Sequence, residues 1–139
     1  MSATNKTVPT DDDVAAFVSS IADETRRAEA QLLIGVMTDA TGESPTMWGS
    51  SIVGFGRQHL TYASGRELDN FKVGFAPRKA QSVLYLSGGL DLYDDLLPRL
   101  GKYSTGKSCL YLKAVGTAEP EALHQLIERS YNIAPELSS

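Results

Sequence analysis

The residues with the most obvious chemical potential are Gly101-Lys102-Tyr103-Ser104-Thr105-Gly106-Lys107-Ser108, whose spacing fits the phosphate-cradling pattern G-x-x-x-x-G-K-[ST]. In a working phosphate loop the glycines bring backbone amides to the anion, the lysine reaches it and the hydroxyl holds magnesium. Such a loop also runs from a strand into a helix, because a helix N-terminus directs free amides and positive dipole at the phosphate. Here the order is reversed. Tyr93, Leu96, Leu97 and Leu100 have helical spacing before Gly101, and the residues from Cys109 to Ala114 alternate like a strand after it. No apolar strand ending in an aspartate follows to hold magnesium. The match is therefore read as coincidental, and the chain is expected not to be an enzyme.

A second group joins aromatic rings to cations. If the strands bring their open faces together, Trp48, Tyr62, Tyr85 and Tyr111 line a shallow hollow with Arg78, Lys79, Lys102 and Lys107 at its rim. Aromatic walls with a few convergent charges describe a small-molecule pocket. The competing reading makes the tyrosines core residues and the lysines a solvated face. Cys109, at the start of an apolar strand, reads as a small buried residue rather than a nucleophile. His59 and His124 have no acid partner identifiable from the sequence that would make either a general base.

Acidic residues form the third group. Asp11, Asp12 and Asp13 precede one apolar helix and Asp23 and Glu24 precede the next, so they read first as caps and dipole-compensating acids. Their hard oxygens are also the donors that an alternative, iron-binding reading would use. Arg26 and Arg27 read as solvated or paired with Asp23.

These groups sit on a chain of 139 residues, 42% hydrophobic, which is enough for one core and one domain. The domain is expected over residues 10–133, with flexible ends at 1–9 and 134–139. Net charge is −4 but unevenly placed: residues 1–56 carry 8 acids and 3 bases, 57–113 carry 5 and 9, and 114–139 carry 4 and 1. The basic middle suits a small anionic ligand, whereas the overall acidity argues against nucleic acid. One cysteine and two distant histidines offer neither an internal disulfide nor a zinc spacing. With no apolar run of about 20 residues and no signal-like start, the expectation is a cytoplasmic protein away from the membrane.

The apolar periods then give the elements. Val14, Phe17, Val18 and Ile21 mark a first helix, and Leu32, Leu33, Val36 and Met37 the apolar face of a second that stops at Gly42. From Ser44 the period becomes two. Residues 52–56 and 58–62 suggest one long or bent strand, Ala63-Ser64-Gly65-Arg66 a hairpin turn, and Phe71, Val73 and Phe75 one buried face of the next strand. Gly54 and Gly56 imply a bulge or the close approach of another backbone, and Gly49, Gly54, Gly56, Gly74 and Gly106, on or beside strands, suggest that a ligand or a packed helix comes close. Val83, Leu84, Tyr85 and Leu86 in succession require a central strand covered on both faces. A helix over 90–100, kinked or ended near Leu97 by Pro98, a strand from Cys109 and a last helix opened by Glu119-Pro120-Glu121 complete the order. The result is an α+β domain with a mainly antiparallel sheet of about five strands and helices against one face.

Met47-Trp48-Gly49, Ile52-Val53-Gly54-Phe55-Gly56, Val73-Gly74-Phe75-Ala76-Pro77-Arg78-Lys79, Leu84-Tyr85-Leu86 and Leu100-Gly101-Lys102 through Tyr111 resemble the YdhG-like domain of unknown function, over residues 23–131. The resemblance implies a small α+β fold, frataxin-like in outline. Some members carry the label of intracellular iron chaperone, which makes iron the alternative cofactor; no reaction is implied. The reading is thus a non-enzymatic module for a small anionic or aromatic ligand or a protein partner, with iron handling as the alternative and an enzyme third.

Overall fold

A computed structural model describes residues 10, 12–61, 64–65, 67–106 and 109–137. Two helices come first. Asp13 caps α1 (Val14–Ser19) by accepting from the amides of Ala15 and Ala16, and Asp23 caps α2 (Glu24–Thr41) through those of Thr25 and Arg26. Each carboxylate satisfies donors that a helix start leaves without a partner. Gly42, at φ 73°, ends α2 in a left-handed conformation that other residues adopt at a cost.

Among the described residues eight strands follow, β1 (Thr46–Trp48), β2 (Ile52–Phe55), β3 (Gln58–Thr61), β4 (Glu67–Asn70), β5 (Val73–Pro77), β6 (Ser82–Tyr85), β7 (Tyr103–Thr105) and β8 (Cys109–Leu112), before α3 (Pro120–Leu137). The main sheet has six strands in the order β1-β2-β5-β6-β8-β7, every neighbouring pair antiparallel. β3 and β4 form a separate ribbon. The architecture is therefore α+β as expected, with one strand more than the five expected in the sheet and a second, two-stranded sheet beside it. The expected single bent strand over 52–62 is divided: β2 stays in the main sheet and β3 leaves it, with Gly56 at φ 76° between them.

One sheet face is the core. Val53, Phe55, Val73, Phe75, Leu84, Leu110 and Leu112 are fully buried there in one cluster with Ala30, Leu33 and Met37 of α2 and Leu123, Leu126 and Ile127 of α3. The apolar face of α2 differs from expectation at Leu32, which is exposed. Its buried stripe runs through Arg26, Glu29, Ala30, Leu33 and Met37, and Leu32 lies about 100° around the helix from Leu33. Arg26 and Glu29 of this stripe form a buried ion pair, which corrects the reading of Arg26 as solvated or paired with Asp23. Glu29 also accepts from the Ser82 hydroxyl at 2.9 Å and the Val115 amide at 3.0 Å, while Arg26 donates to the Lys113 carbonyl. Charges removed from water need such partners.

Between β6 and β7 the expected helix is absent. Two short 3-10 segments, Leu90–Tyr93 and Leu97–Arg99, stand in its place, with Pro98 inside the second. A proline lacks the donor that an α-helix needs there, so the chain turns in shorter steps. At the other end, α3 continues past residue 133 to Leu137. No helix among the described residues is long and apolar enough to cross a membrane.

Candidate functional site

Strand alternation places Trp48, Gly54, Gly74, Ala76, Val83, Tyr85, Cys109 and Tyr111 on the sheet face away from α2 and α3. Gly54 and Gly74 are direct cross-strand partners. A Cβ on Gly54 would stand 2.6 Å from Trp48 Cδ1 and 2.8 Å from Phe71 Cβ; on Gly74 it would stand 2.8 Å from the Val53 carbonyl oxygen and 2.9 Å from Phe71 Cε1. The space at these two glycines is taken by two rings of the chain itself, where the sequence suggested another backbone, a packed helix or a ligand. Trp48 and Phe71 meet edge to face at 5.4 Å and 78°, and Phe71 meets Tyr85 at 5.9 Å and 69°. These are the offset geometries that aromatic quadrupoles favour.

Phe71 therefore does not share the face of Val73 and Phe75. β5 begins at Val73, and the preceding amide of Lys72 bonds the Phe55 carbonyl, so strand alternation does not extend back to Phe71. Its ring instead covers the two glycines. Trp48, with 2% of its surface exposed, is a wall of this layer and not a free platform.

Arg78 connects the aromatic layer to a cleft at the sheet end. It donates to the Ser51 hydroxyl at 3.0 Å and to the Tyr85 hydroxyl at 3.4 Å. The cross-strand pair Ala76 and Val83 lies between the two side chains in register, and both are buried. Arg78 and Ser51 also line a cavity of about 550 Å³ with Phe17, Ile21, Pro77, Lys79 and Arg26. Phe17 and Ile21 bring one apolar wall, and Pro77 at the end of β5 brings the other. Arg78 and Lys79 are exposed, and among the described residues neither pairs with a carboxylate. Arg26 lies in the same lining with its guanidinium tied to Glu29 and its Nε without a hydrogen-bond partner.

The other expected rim residues lie apart from this cleft. Pro77, Ser82, Leu112 and Tyr103 are in one row across β5, β6, β8 and β7, so Lys102 is at the same sheet end as Arg78 but three strand spacings, about 14 Å, away. Tyr111 is diagonal to Tyr85, with its hydroxyl 2.9 Å from where a Cβ of Gly106 would stand. Tyr62, Lys107 and Asp11 lie outside the described residues.

The described part of the phosphate-loop-like stretch is one arm of a hairpin. Tyr103–Thr105 pairs with Leu110–Leu112, and the Gly106 amide closes the turn on the Cys109 carbonyl at 2.8 Å. A strand, β8, follows it as read from the sequence, whereas the helix expected before it is replaced by 3-10 segments. Gly106 and Cys109 mark the opposite end of the hairpin from Lys102. Cys109 is partly buried opposite Tyr85.

Of the acids considered for iron, Asp13 and Asp23 are helix caps, Glu24 is loosely paired with Arg27 at 3.9 Å and Asp12 is exposed. Among the described residues no three histidine, cysteine or carboxylate side chains gather where a metal ion could be shared. The histidines differ from expectation, because both have acid partners. His59 Nδ1 is 2.8 Å from Asp69 and its Nε2 is 2.6 Å from Glu67, while His124 is 3.2 Å from Asp39. Strand pairing brings Asp69 opposite His59, ten residues away in sequence, a register that no local spacing reveals. Hydrogen bonds to Asp69 and then to Glu67 hold the His59 imidazole above its ordinary pKa.

Sequence reasoning missed Phe17, Ile21, Ser51 and Phe71 as parts of this region. Gly54 and Gly74 were the available signal for Phe71, since two facing glycines leave a ring-sized space. Comparisons with protein-family models, with curated proteins and with solved structures found no match to this chain.

Proposed function

We propose that this chain is a non-enzymatic binding module, a YdhG-like domain that holds a small amphipathic anion in the cleft between the α1–α2 junction and the β5–β6 turn. The observation that carries this reading is the pair Arg78 and Lys79, free of carboxylate partners among the described residues, at a cavity of about 550 Å³ walled by Phe17, Ile21 and Pro77. That volume lies within the range of about 300–1,000 Å³ typical of small-ligand sites. The apolar walls suit a ring or short chain, and the cations suit a carboxylate or phosphate at its end. Asp23 also lines the cleft, but its carboxylate accepts from α2 amides and so works against an anion less than a free acid would. The iron reading has no donor set among the described residues, with Asp13 and Asp23 engaged as caps.

Phenyl phosphate and benzoate are suitable probes, followed by amide chemical shifts of the Arg78 and Lys79 backbone. A saturable response is expected in the parent and a response at least tenfold weaker in Arg78→Ala/Lys79→Ala, with sodium chloride at equal ionic strength as the control for screening. Lys102→Ala should bind like the parent. Equal binding by the cleft variant would reject the site.

A further inference from the structure

A second cavity, of about 350 Å³, lies at the opposite edge of the aromatic layer and is lined by Glu43, Trp48, Gly56, Arg57 and Lys72 among others. Its charges are of both signs and are held apart by one tyrosine. The Tyr131 hydroxyl donates to Glu43 Oε2 at 2.6 Å, while Lys72 Nζ lies over the same ring, 4.6 Å from its centroid. Glu43 and Lys72 form no ion pair with each other, although both line the cavity. Among the described residues Glu43 Oε1 accepts no hydrogen bond and Lys72 has no carboxylate partner. Arg57 stands 6.0 Å from the Trp48 centroid and is paired with Asp69 at 3.2 Å.

We infer that this cavity is a site for a small zwitterion of the α-amino-acid class, its carboxylate set by Lys72 and Arg57 and its ammonium by Glu43. Opposite charges on one small molecule match opposite charges that the fold prevents from neutralising each other. Tyr131 keeps that separation: its phenol is held above the ordinary range, first by the Glu43 hydrogen bond, and so stays a donor to the carboxylate. The remaining lining includes the polar Ser44 and Thr46, which suits a short hydroxyl or amide side chain better than an aliphatic one. Trp48 seals one side and gives the site a spectroscopic reporter.

L-serine, L-threonine and L-glutamine are the probes, read by the Trp48 indole resonance of the full chain. At least one is expected to saturate the shift in the millimolar range. For threonine the matched truncations are 3-hydroxybutanoate, which lacks the ammonium, and 1-amino-2-propanol, which lacks the carboxylate; each should bind about tenfold or more weakly than the complete amino acid, because a charge-assisted hydrogen bond is lost. Glu43→Gln and Lys72→Met should each weaken binding similarly, and Lys102→Ala should leave it unchanged; the amino-acid probes carry an ammonium that phenyl phosphate and benzoate lack, so failure here is separable from failure at the first cleft. No saturable shift with any of the three amino acids would overturn the proposal. So would truncations that bind as tightly as threonine. The truncation series uses the parent protein and decides the matter even if a variant does not fold.

Discussion

His59 stands between Asp69 and Glu67 on an exposed ribbon, and its imidazole can donate to both carboxylates only when it is protonated. Its pKa is raised first by the Asp69 bond, and that of Asp69 is lowered first by the His59 bond. The raised imidazole favours the folded ribbon fully below its unfolded value of about 6.5, and that support is lost as pH rises through the folded value. Asp69 supplies support above the ordinary carboxylate range that is lost as pH falls through its lowered value. The β3–β4 ribbon should therefore be firmest between the two. Ring-carbon NMR should show His59 titrating above the ordinary imidazole midpoint in the parent and lower in Asp69→Asn; a midpoint that does not move would remove the pairing. Trp48 gives a second residue-scale test. Its ring is 2% exposed and packs over Gly54, so Trp48→Ala should cost about 3–5 kcal/mol in denaturant melts. An unchanged midpoint would mean that the layer does not contribute to folding. The ring's place at the edge of the core could be anticipated from the turn before it, but not its ring partner Phe71, whose face depends on where β5 begins.

At the scale of elements, α2 is joined to the sheet by charge as well as by apolar contact. Arg26 and Glu29 are buried together, and Glu29 reaches β6 through Ser82 and the turn after β8 through Val115. Removing one partner of such a pair leaves an uncompensated charge in a poor solvent, a cost of about 3–5 kcal/mol. Glu29→Leu should show that loss by chemical denaturation, and adding Arg26→Met should recover part of it, since the orphaned cation is then gone. Full additivity of the two substitutions would show that the ion pair is not coupled. This feature was hidden in the sequence because Arg26 and Glu29 follow the spacing of any solvated helix pair, and burial is decided by β6 and β8 far along the chain. Other elements were readable for local reasons. Asp13 and Asp23 announce helix starts, Leu123, Leu126 and Ile127 give α3 its inward stripe, and the apolar run through Leu84 marks a central strand. β7 was not readable, because all three of its residues are exposed and carry no alternation. The expected helix after β6 failed for a related reason: its apolar spacing is real, with Tyr93, Leu96, Leu97 and Leu100 all buried, but 3-10 turns bury those residues equally well.

The described residues form a six-stranded sheet with helices on one face, an aromatic layer on part of the other and a two-stranded ribbon beside it, and the two cavities proposed as sites lie at different edges of that layer. Arg78, Lys79 and Tyr85 could be nominated from residue type, and Arg78 does meet Tyr85. The grouping of Arg78 with Lys102 could not be judged without the strand order, which inserts β6 and β8 between them. One apolar wall of the cleft comes from Phe17 of α1 and Ile21 just after it, some sixty residues earlier in the chain than Arg78, so its contribution was invisible to any local pattern. Anion binding through linkage should raise the apparent stability of the folded state as ligand rises above its dissociation constant. The most direct test is a thermal-melt titration with phenyl phosphate against equal ionic strength of sodium chloride, run in parallel on the parent, Arg78→Ala/Lys79→Ala and Lys102→Ala. The cleft reading predicts a saturable rise in Tm in the parent and in Lys102→Ala, and none beyond the chloride control in Arg78→Ala/Lys79→Ala. The same rise in all three proteins, or no rise in the parent, would contradict it.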